Sequence, residues 1–277
     1  MTCSARIKRY ARSAMLVDSH CHIDFDEYVG RIPQVLEDMA RNQVTHALCV
    51  CVNFAGFPRV LELAESHSQL FASVGVHPDQ VENESPKVNE LVERAGHRKI
   101  VAIGETGLDY YRQSGDQEWQ RARFRTHIRA ARECGKPLII HTREAGDDTL
   151  RIMREEGASQ IGGVMHCFTE TLELARAAMD LNFYISFSGI VTFKNALAIK
   201  DVARVVPLEK MLIETDSPYL APVPHRGKTN QPGWVRHVAE EVARLRGTSL
   251  EAVAEATSAN FFRLFKPDLS LDNTLYR

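Results

Sequence analysis

The chain has 277 residues, of which 44% are hydrophobic and 25% charged, and its formal net charge is -2. This composition is typical of a globular protein with one large α/β domain or two ordinary domains. The near-neutral charge excludes a general electrostatic attraction to nucleic acid, so a phosphate-bearing substrate would need local cations or metal ions. No apolar run in the sequence is long enough to span a membrane.

The two ends of the chain differ from the segment between them. Residues 1–14 are basic and lack the apolar core of a secretory signal, so we predict a disordered arm there. Met15, at the start of the first predicted strand, is an alternative translation start. We predict one domain over 15–265 and a polar tail over 266–277. The six cysteines show no CxxC spacing, which favours reduced thiols and a cytoplasmic location.

Short apolar runs alternate with segments of helical periodicity along the predicted domain. The predicted strands cover 15–19, 46–52, 71–76, 100–104, 138–141, 162–166, 183–187 and 210–215. The predicted helices cover 33–43, 57–67, 86–95, 117–135, 145–156, 170–181, 195–205, 234–246 and 250–265. Near-continuous apolar strands separated by helices indicate parallel strands that are buried on both faces. Eight such units predict a (β/α)8 TIM barrel, with a doubly wound sheet as the alternative.

Ionisable residues stand where six of the predicted strands end. His20 and His22 follow the first strand and share a face, because they are two residues apart in an extended chain. The other strand ends carry His77, Glu105, His141, His166 and Asp216. In a barrel of parallel strands these ends surround one mouth. Four of these five histidines and the two carboxylates meet the ligand demand of two divalent ions, Mg, Mn or Zn, about 3.5–4 Å apart with Glu105 able to bridge them.

Cationic residues near the predicted mouth could hold an anionic substrate. Arg143 lies two residues after His141 and would share its inward face if the strand continues, where it could clamp a phosphate or carboxylate. The long loop after the eighth strand adds Arg226 and Lys228. A structural ion pair for Arg143 and solvated loop charges are the alternatives. The sequence lacks the usual glycine-rich phosphate loops, so we predict no nucleotide cofactor.

Six motifs carry a resemblance to a known family. They are "DSHCHID", "GVHPD", "IGETGLDYY", "PLIIHTREA", "HCFTE" and "ETDSPYLAPVPHRGKTNQP". With these motifs the chain resembles the TatD family of metal-dependent deoxyribonucleases and hydrolases from Leu16 to Phe265. Many members read RGKRNEP in the long loop, whereas this chain has Thr229 and Gln231 there.

The resemblance implies a TIM-type barrel that hydrolyses phosphodiester bonds, typically a Mg-supported DNase and often a 3′–5′ exonuclease. The metal ligands that it implies are His20, His22, Glu105, His141, His166 and Asp216. It also implies that His77 is a histidine on the substrate side of the site. The implied partner is DNA or another phosphodiester, and the oligomeric state is left open.

In the mechanism we predict, the two ions activate a water, and Asp216 acts as the general base. His77 positions the scissile phosphate or protonates the leaving oxygen. The order HxH…His…His…Asp also resembles the wider amidohydrolase superfamily. Hydrolysis of ester or amide bonds, such as aminoacyl esters, on the same binuclear site is therefore the alternative. Glu105 occupies a strand where those enzymes often carry a carboxylated lysine, which favours the TatD-type reaction.

Overall fold

The computed structural model describes residues 15–80, 85–111 and 113–271, so the arm predicted over 1–14 lies outside the described residues. The strands are β1 Leu16–Cys21, β2 Val44–Cys49, β3 Leu70–Val74, β4 Ile100–Asp109, β5 Leu138–Arg143, β6 Gly163–Met165, β7 Phe183–Phe187 and β8 Met211–Ile213. The α-helices are α1 Ile32–Arg41, α2 Phe57–Ser66, α3 Val88–Ala95, α4 Glu118–Cys134, α5 Gly146–Glu155, α6 Leu172–Asp180, α7 Leu197–Val205, α8 Val235–Arg246 and α9 Leu250–Phe265. Within the described ranges, no helix combines the length and apolarity needed to cross a membrane.

The eight strands form one sheet in chain order. The pairs from β3 to β7 are parallel. The first and last strands also meet: Cys21 and Ser217 form a parallel bridge, and the Asp216 amide donates to the His20 carbonyl at 3.0 Å. Sequential parallel strands with helical crossovers are the topology of the (β/α)8 barrel. The predicted fold class is confirmed, and the doubly wound alternative is wrong because such a sheet reverses its strand order.

The described chain divides into two compact units, and the first consists of residues 15–48 and 186–266. Its core joins β1 and β8 to the apolar face of α9, which buries Phe261 and Phe265. The Asn260 side-chain amide of α9 donates to the carbonyls of Leu208 and Met211 at 2.7 and 2.8 Å. These bonds give backbone carbonyls just before and at the start of β8 a side-chain partner.

The second unit spans residues 49–185 and holds β3 to β6 with their helices. Two lysines of this unit, one buried and one half-buried, donate hydrogen bonds to backbone carbonyls at and after the ends of its helices. Lys99 donates to the carbonyls of His67, Ser68 and Leu70, which follow α2. Lys136 donates in the same way to carbonyls that follow α3. A cation at a helix C-terminus satisfies orphan carbonyls and complements the helix dipole.

β4 is longer than the predicted strand, which ended at residue 104. The sequence GETGLD has the composition of a loop, yet it continues the strand to Asp109. Gly107 has a φ of +134°, and a Cβ at this position would overlap the carbonyl oxygen of His141 on β5. Glycine therefore permits the close approach of the two backbones that keeps β4 and β5 paired beyond residue 104.

Candidate metal-binding clusters

The carboxyl ends of β1 and β8 hold His20, His22 and Asp216, which we call the β1/β8 cluster. The Nε2 atoms of the two histidines are 3.1 Å apart. The Asp216 Oδ1 lies 3.7 Å from Nε2 of His20 and 3.4 Å from Nε2 of His22. In a tetrahedral site with bonds of about 2.0–2.1 Å, neighbouring ligand atoms lie roughly 3.3–3.4 Å apart. The three donor atoms therefore fit a divalent ion with little movement.

A buried carboxylate holds the two strand ends of this cluster together. Asp18 accepts hydrogen bonds from the Thr215 amide at 2.9 Å and the Thr215 hydroxyl at 2.6 Å. It also accepts from the His20 amide at 3.3 Å. Burial raises the pKa of Asp18 well above its ordinary value, against the lowering effect of these hydrogen bonds. Asp216 adopts a left-handed φ of 55°, which turns the chain at the end of β8.

The second unit holds a cluster around Glu105, made of His77, Glu105, His141 and His166, which we call the Glu105 cluster. One carboxylate oxygen, Oε1, lies 3.2 Å from Nε2 of His77, 3.3 Å from Nδ1 of His141 and 2.7 Å from Nε2 of His166. The nitrogens of His141 and His166 are 3.4 Å apart. These separations also match the edges of a metal coordination polyhedron. Glu105 and His166 are buried, whereas His77 and His141 reach solvent in part.

His77 belongs to the Glu105 cluster by distance, although the sequence placed it outside the ligand set. Its Nδ1 lies 2.5 Å from Oδ1 of Asp79, so the ring is held between two carboxylates. Burial opposes the imidazolium form, but Glu105 and Asp79 together raise the pKa of His77 to about 10. Even without His166, the side chains of His77, Glu105 and His141 offer three ligand atoms that could hold a metal ion.

His141 is oriented by a carboxylate that the sequence analysis did not single out. Its Nε2 lies 3.0 Å from Oδ2 of Asp109, while its Nδ1 faces Glu105. Burial raises the pKa of Asp109, but the hydrogen bond and charge of His141 outweigh it and, with Arg143, hold the pKa below its usual value. A carboxylate on the far nitrogen of a histidine fixes the tautomer that leaves the near nitrogen able to bind metal.

Comparisons with known proteins establish the family of the chain and agree with the fold. The model of the family described as TatD related DNase matches residues 17–266. The chain belongs to the TatD-related DNase family. It is 48% identical over 258 residues to "Uncharacterized metal-dependent hydrolase YcfH" of Escherichia coli (strain K12), covering 92% of this chain and 97% of that relative.

Two further similarities extend along most of the chain. "Uncharacterized metal-dependent hydrolase YabD" of Bacillus subtilis (strain 168) is 40% identical over 253 residues, covering 91% of this chain and 99% of the relative. The crystal structure of YjjV, a TatD homolog from E. coli K12, superposes with a TM-score of 0.83 at 28% identity, covering 91% of this chain and 98% of that structure. This TatD-related chain therefore shares its fold and family with proteins named metal-dependent hydrolases.

The cations predicted to bind substrate in this TatD-related chain are exposed, and the two arginines among them lie on aromatic rings. The Arg143 guanidinium is 3.6 Å from the centroid of Tyr111, and that of Arg226 is 3.7 Å from the centroid of Phe193. Arg226 also donates to the Ala221 carbonyl at 3.1 Å. Ring stacking orients each guanidinium and leaves its edge able to meet an anion. Lys228 is exposed in the same loop as Arg226.

Three supporting carboxylates of this TatD-related chain were not singled out from the sequence: Asp18, Asp79 and Asp109. Each lies inside a motif that the analysis quoted, two residues before His20, two after His77 and four after Glu105. Asp18 and Asp79 could have been found from that spacing, because a carboxylate beside a metal-binding histidine is a common arrangement. Asp109 could not, because its contact with His141 depends on the register between β4 and β5.

Proposed function

We propose that this chain is a divalent-metal-dependent hydrolase that cleaves phosphodiester bonds in DNA, with the action of a 3′–5′ exonuclease. The observation that carries the proposal is the Glu105 cluster, where one carboxylate oxygen lies within 3.3 Å of three imidazole nitrogens. Such convergence of lone pairs is costly unless a cation or shared protons compensate it. The family description, TatD related DNase, supports DNA as the substrate class.

We assign the metal ligands to His20, His22 and Asp216 in one cluster and to Glu105, His141 and His166 in the other. Divalent ions at these residues would supply a nucleophilic water at neutral pH and stabilise charge on the phosphoryl oxygens. The number and identity of the ions, the bridging role of Glu105 and the cytoplasmic location stay predictions.

Within this proposal, Asp216 is the general base and His77 acts on the substrate. The Asp216 side chain keeps 16% of its surface exposed beside the fully buried His20, so water reaches its carboxylate. The His77 ring is oriented by Asp79 and is partly exposed, which suits it to hold a phosphate oxygen or protonate the leaving oxygen. Glu105 is buried and fixes the rings around it.

Arg143, Arg226 and Lys228 supply the local positive charge that a phosphodiester needs on a chain of net charge -2. Tyr219 is 55% exposed at the start of the same loop as Arg226, where it could stack on a base. These side chains favour a nucleic acid over a small neutral ester as the substrate. Ester or amide hydrolysis is the second candidate, because the curated relatives are named hydrolases with no substrate stated.

The experiment is product analysis of end-labelled single- and double-stranded DNA with Mg, Mn or Zn, for the wild type and Asp216→Asn. We expect stepwise shortening from the 3′ end that stops with a chelator and falls ~10³-fold or more in Asp216→Asn. Asp201→Asn is the matched control, because Asp201 is exposed on α7, where it pairs with the neighbouring Arg204. Wild-type cleavage by Asp216→Asn would eliminate this mechanism. Cleavage of aminoacyl or amide substrates with DNA left intact would replace the substrate class.

A further inference from the structure

A second pair of facing histidines lies outside both clusters. His225 is in the loop between β8 and α8, and His237 is in the first turn of α8. Their Nε2 atoms are 3.1 Å apart, the same separation as between His20 and His22. Both residues are half-buried. We call these two residues the His225/His237 pair.

The contacts of His237 determine which of its nitrogens carries the proton. Its Nδ1 lies 3.0 Å from Oε2 of Glu240, one turn along α8. An ionised carboxylate only accepts hydrogen bonds, so Nδ1 must be the protonated nitrogen. The other oxygen of Glu240 accepts from Nε of Arg236 at 2.9 Å, which holds the carboxylate in place. In the tautomer with the proton on Nδ1, His237 directs the lone pair of Nε2 at His225.

The His225 ring is fixed by an aromatic stack. It lies on Trp234 with the centroids 3.9 Å apart and the planes inclined by 11°. Burial and the nearby His237 and Lys228 lower the pKa of His225, which favours the neutral ring. A neutral imidazole whose ring plane is fixed is a ready metal ligand, because little side-chain entropy remains to be lost on binding.

The separation of the two nitrogens fits a metal ion between them. With metal–nitrogen bonds of about 2.0–2.1 Å, a nitrogen separation of 3.1 Å corresponds to an angle of roughly 95–102° at the metal. This angle lies between the octahedral or square-planar value and the tetrahedral one. An ion could therefore replace the shared proton with small ring movements, and water could complete its coordination.

We propose that the His225/His237 pair is a further metal-binding site, separate from both clusters and selective for first-row transition ions such as Cu²⁺, Ni²⁺ and Zn²⁺. Two imidazoles suit these ions, whereas Mg²⁺ prefers oxygen ligands and would not bind here. Glu240 supports the site by orienting His237, and Trp234 supports it by orienting His225. An ion at this site would tie the loop that carries Arg226 to α8.

Trp234 provides a direct probe of this site, because a Cu²⁺ ion bound to the stacked imidazole would quench indole fluorescence. The chain has two tryptophans, and Trp119→Phe leaves Trp234 as the single emitter. In this background, with excess Mg²⁺ present, we expect micromolar Cu²⁺ to quench Trp234. His237→Gln, which keeps the stack of His225 on Trp234, should weaken the apparent affinity at least tenfold. Glu240→Ala should weaken it by ~10–100-fold through loss of the supporting hydrogen bond.

The matched control is His97→Gln, which removes a half-buried histidine that pairs with Glu65 in the second unit. It should leave the quenching curve unchanged, and circular dichroism should show each variant folded. Equal Cu²⁺ affinity in the parent, His225→Gln and His237→Gln proteins would overturn the proposal. A parent protein whose Trp234 emission does not respond to Cu²⁺ would also overturn it, because the pair would then be only an imidazole hydrogen bond.

Discussion

At the scale of single residues, the contact between Asp109 and His141 predicts how a substitution of Asp109 changes metal affinity. Asn at position 109 would keep an oxygen for the Tyr111 amide, which Asp109 Oδ1 accepts at 2.9 Å. Its amide would donate to Nε2 of His141, so the ring proton would move to Nδ1 and oppose metal binding there. We expect Asp109→Asn to lower metal affinity by ~10–100-fold without unfolding the chain.

Chelator competition with Zn²⁺ measures this change. The control is Asp116→Asn, which removes an exposed carboxylate that pairs with Arg121. Equal zinc affinity of Asp109→Asn and the wild type would show that Asp109 has no role in orienting His141.

His127 on α4 makes folding stability depend on pH. Its Nε2 accepts from the Val76 amide at 3.0 Å, and its Nδ1 donates to the Arg123 carbonyl at 2.9 Å. Burial, helped by the charge of Arg123, lowers the pKa of His127 to about 4. Because the unfolded chain binds this proton near pH 6.5, stability is full above that pH and falls towards pH 4, by about 3 kcal/mol in all.

Urea unfolding between pH 7 and pH 4 measures this loss. We expect His127→Gln to be less stable at pH 7 and to show a shallower fall below pH 6.5. His97→Gln should keep the wild-type slope. Parallel curves for His127→Gln and the wild type would assign the pH dependence to other groups.

At the scale of secondary structure, the sequence predicted the eight strands of the described part of the chain. The nine predicted helical segments match the nine α-helices described there to within a few residues. β7 and α9 have the predicted bounds. The largest error was in the end of β4, which was predicted at residue 104 but lies at Asp109. The glycines there are typical of a loop, yet they allow β4 and β5 to pair closely. A sequence pattern does not reveal this pairing, because the constraint on Gly107 comes from the carbonyl of His141 on a neighbouring strand.

The pairing of β4 with β5 can be tested at Gly107. Because an alanine Cβ would overlap the His141 carbonyl, Gly107→Ala should separate the strands and displace His141. Gly115→Ala is the matched control, since Gly115 also has a positive φ of +78° but has open space around it. We expect the control to cost about 1–2 kcal/mol, and Gly107→Ala to cost clearly more and to impair zinc binding. Equal stability of the two variants would refute the steric role.

At the scale of the whole molecule, the sequence predicted the barrel because each βα unit repeats the same apolar pattern. The proposed ligand residues were inferred from their place where strands end, which is where (β/α)8 enzymes carry their catalytic groups. The distances within each cluster, the place of His77 beside Glu105 and the supporting Asp109 could not be predicted. They depend on side-chain rotamers and strand register, which single-sequence patterns do not record.

The net charge of -2 makes DNA binding depend on a few cations, and Arg143 is the one nearest in sequence to a cluster histidine. Arg143→Ala should raise the apparent KM for DNA and reduce the slope of log affinity against log salt by ~0.7–0.9. The control is Arg154→Ala, which removes an exposed arginine of α5 and so makes the same change in net charge. It should leave both the apparent KM and the salt slope unaltered. Unchanged DNA binding by Arg143→Ala would show that Arg143 does not bind substrate and that its contact with Tyr111 is structural.

The most direct test of metal dependence is anomalous diffraction at the zinc edge from crystals soaked in Zn²⁺. We predict a peak about 2.0–2.2 Å from Nε2 of His20, Nε2 of His22 and a carboxylate oxygen of Asp216. We predict a second peak at similar distances from Glu105, His141 and His166. Ordered side chains at both clusters with no anomalous peak at either would contradict the account.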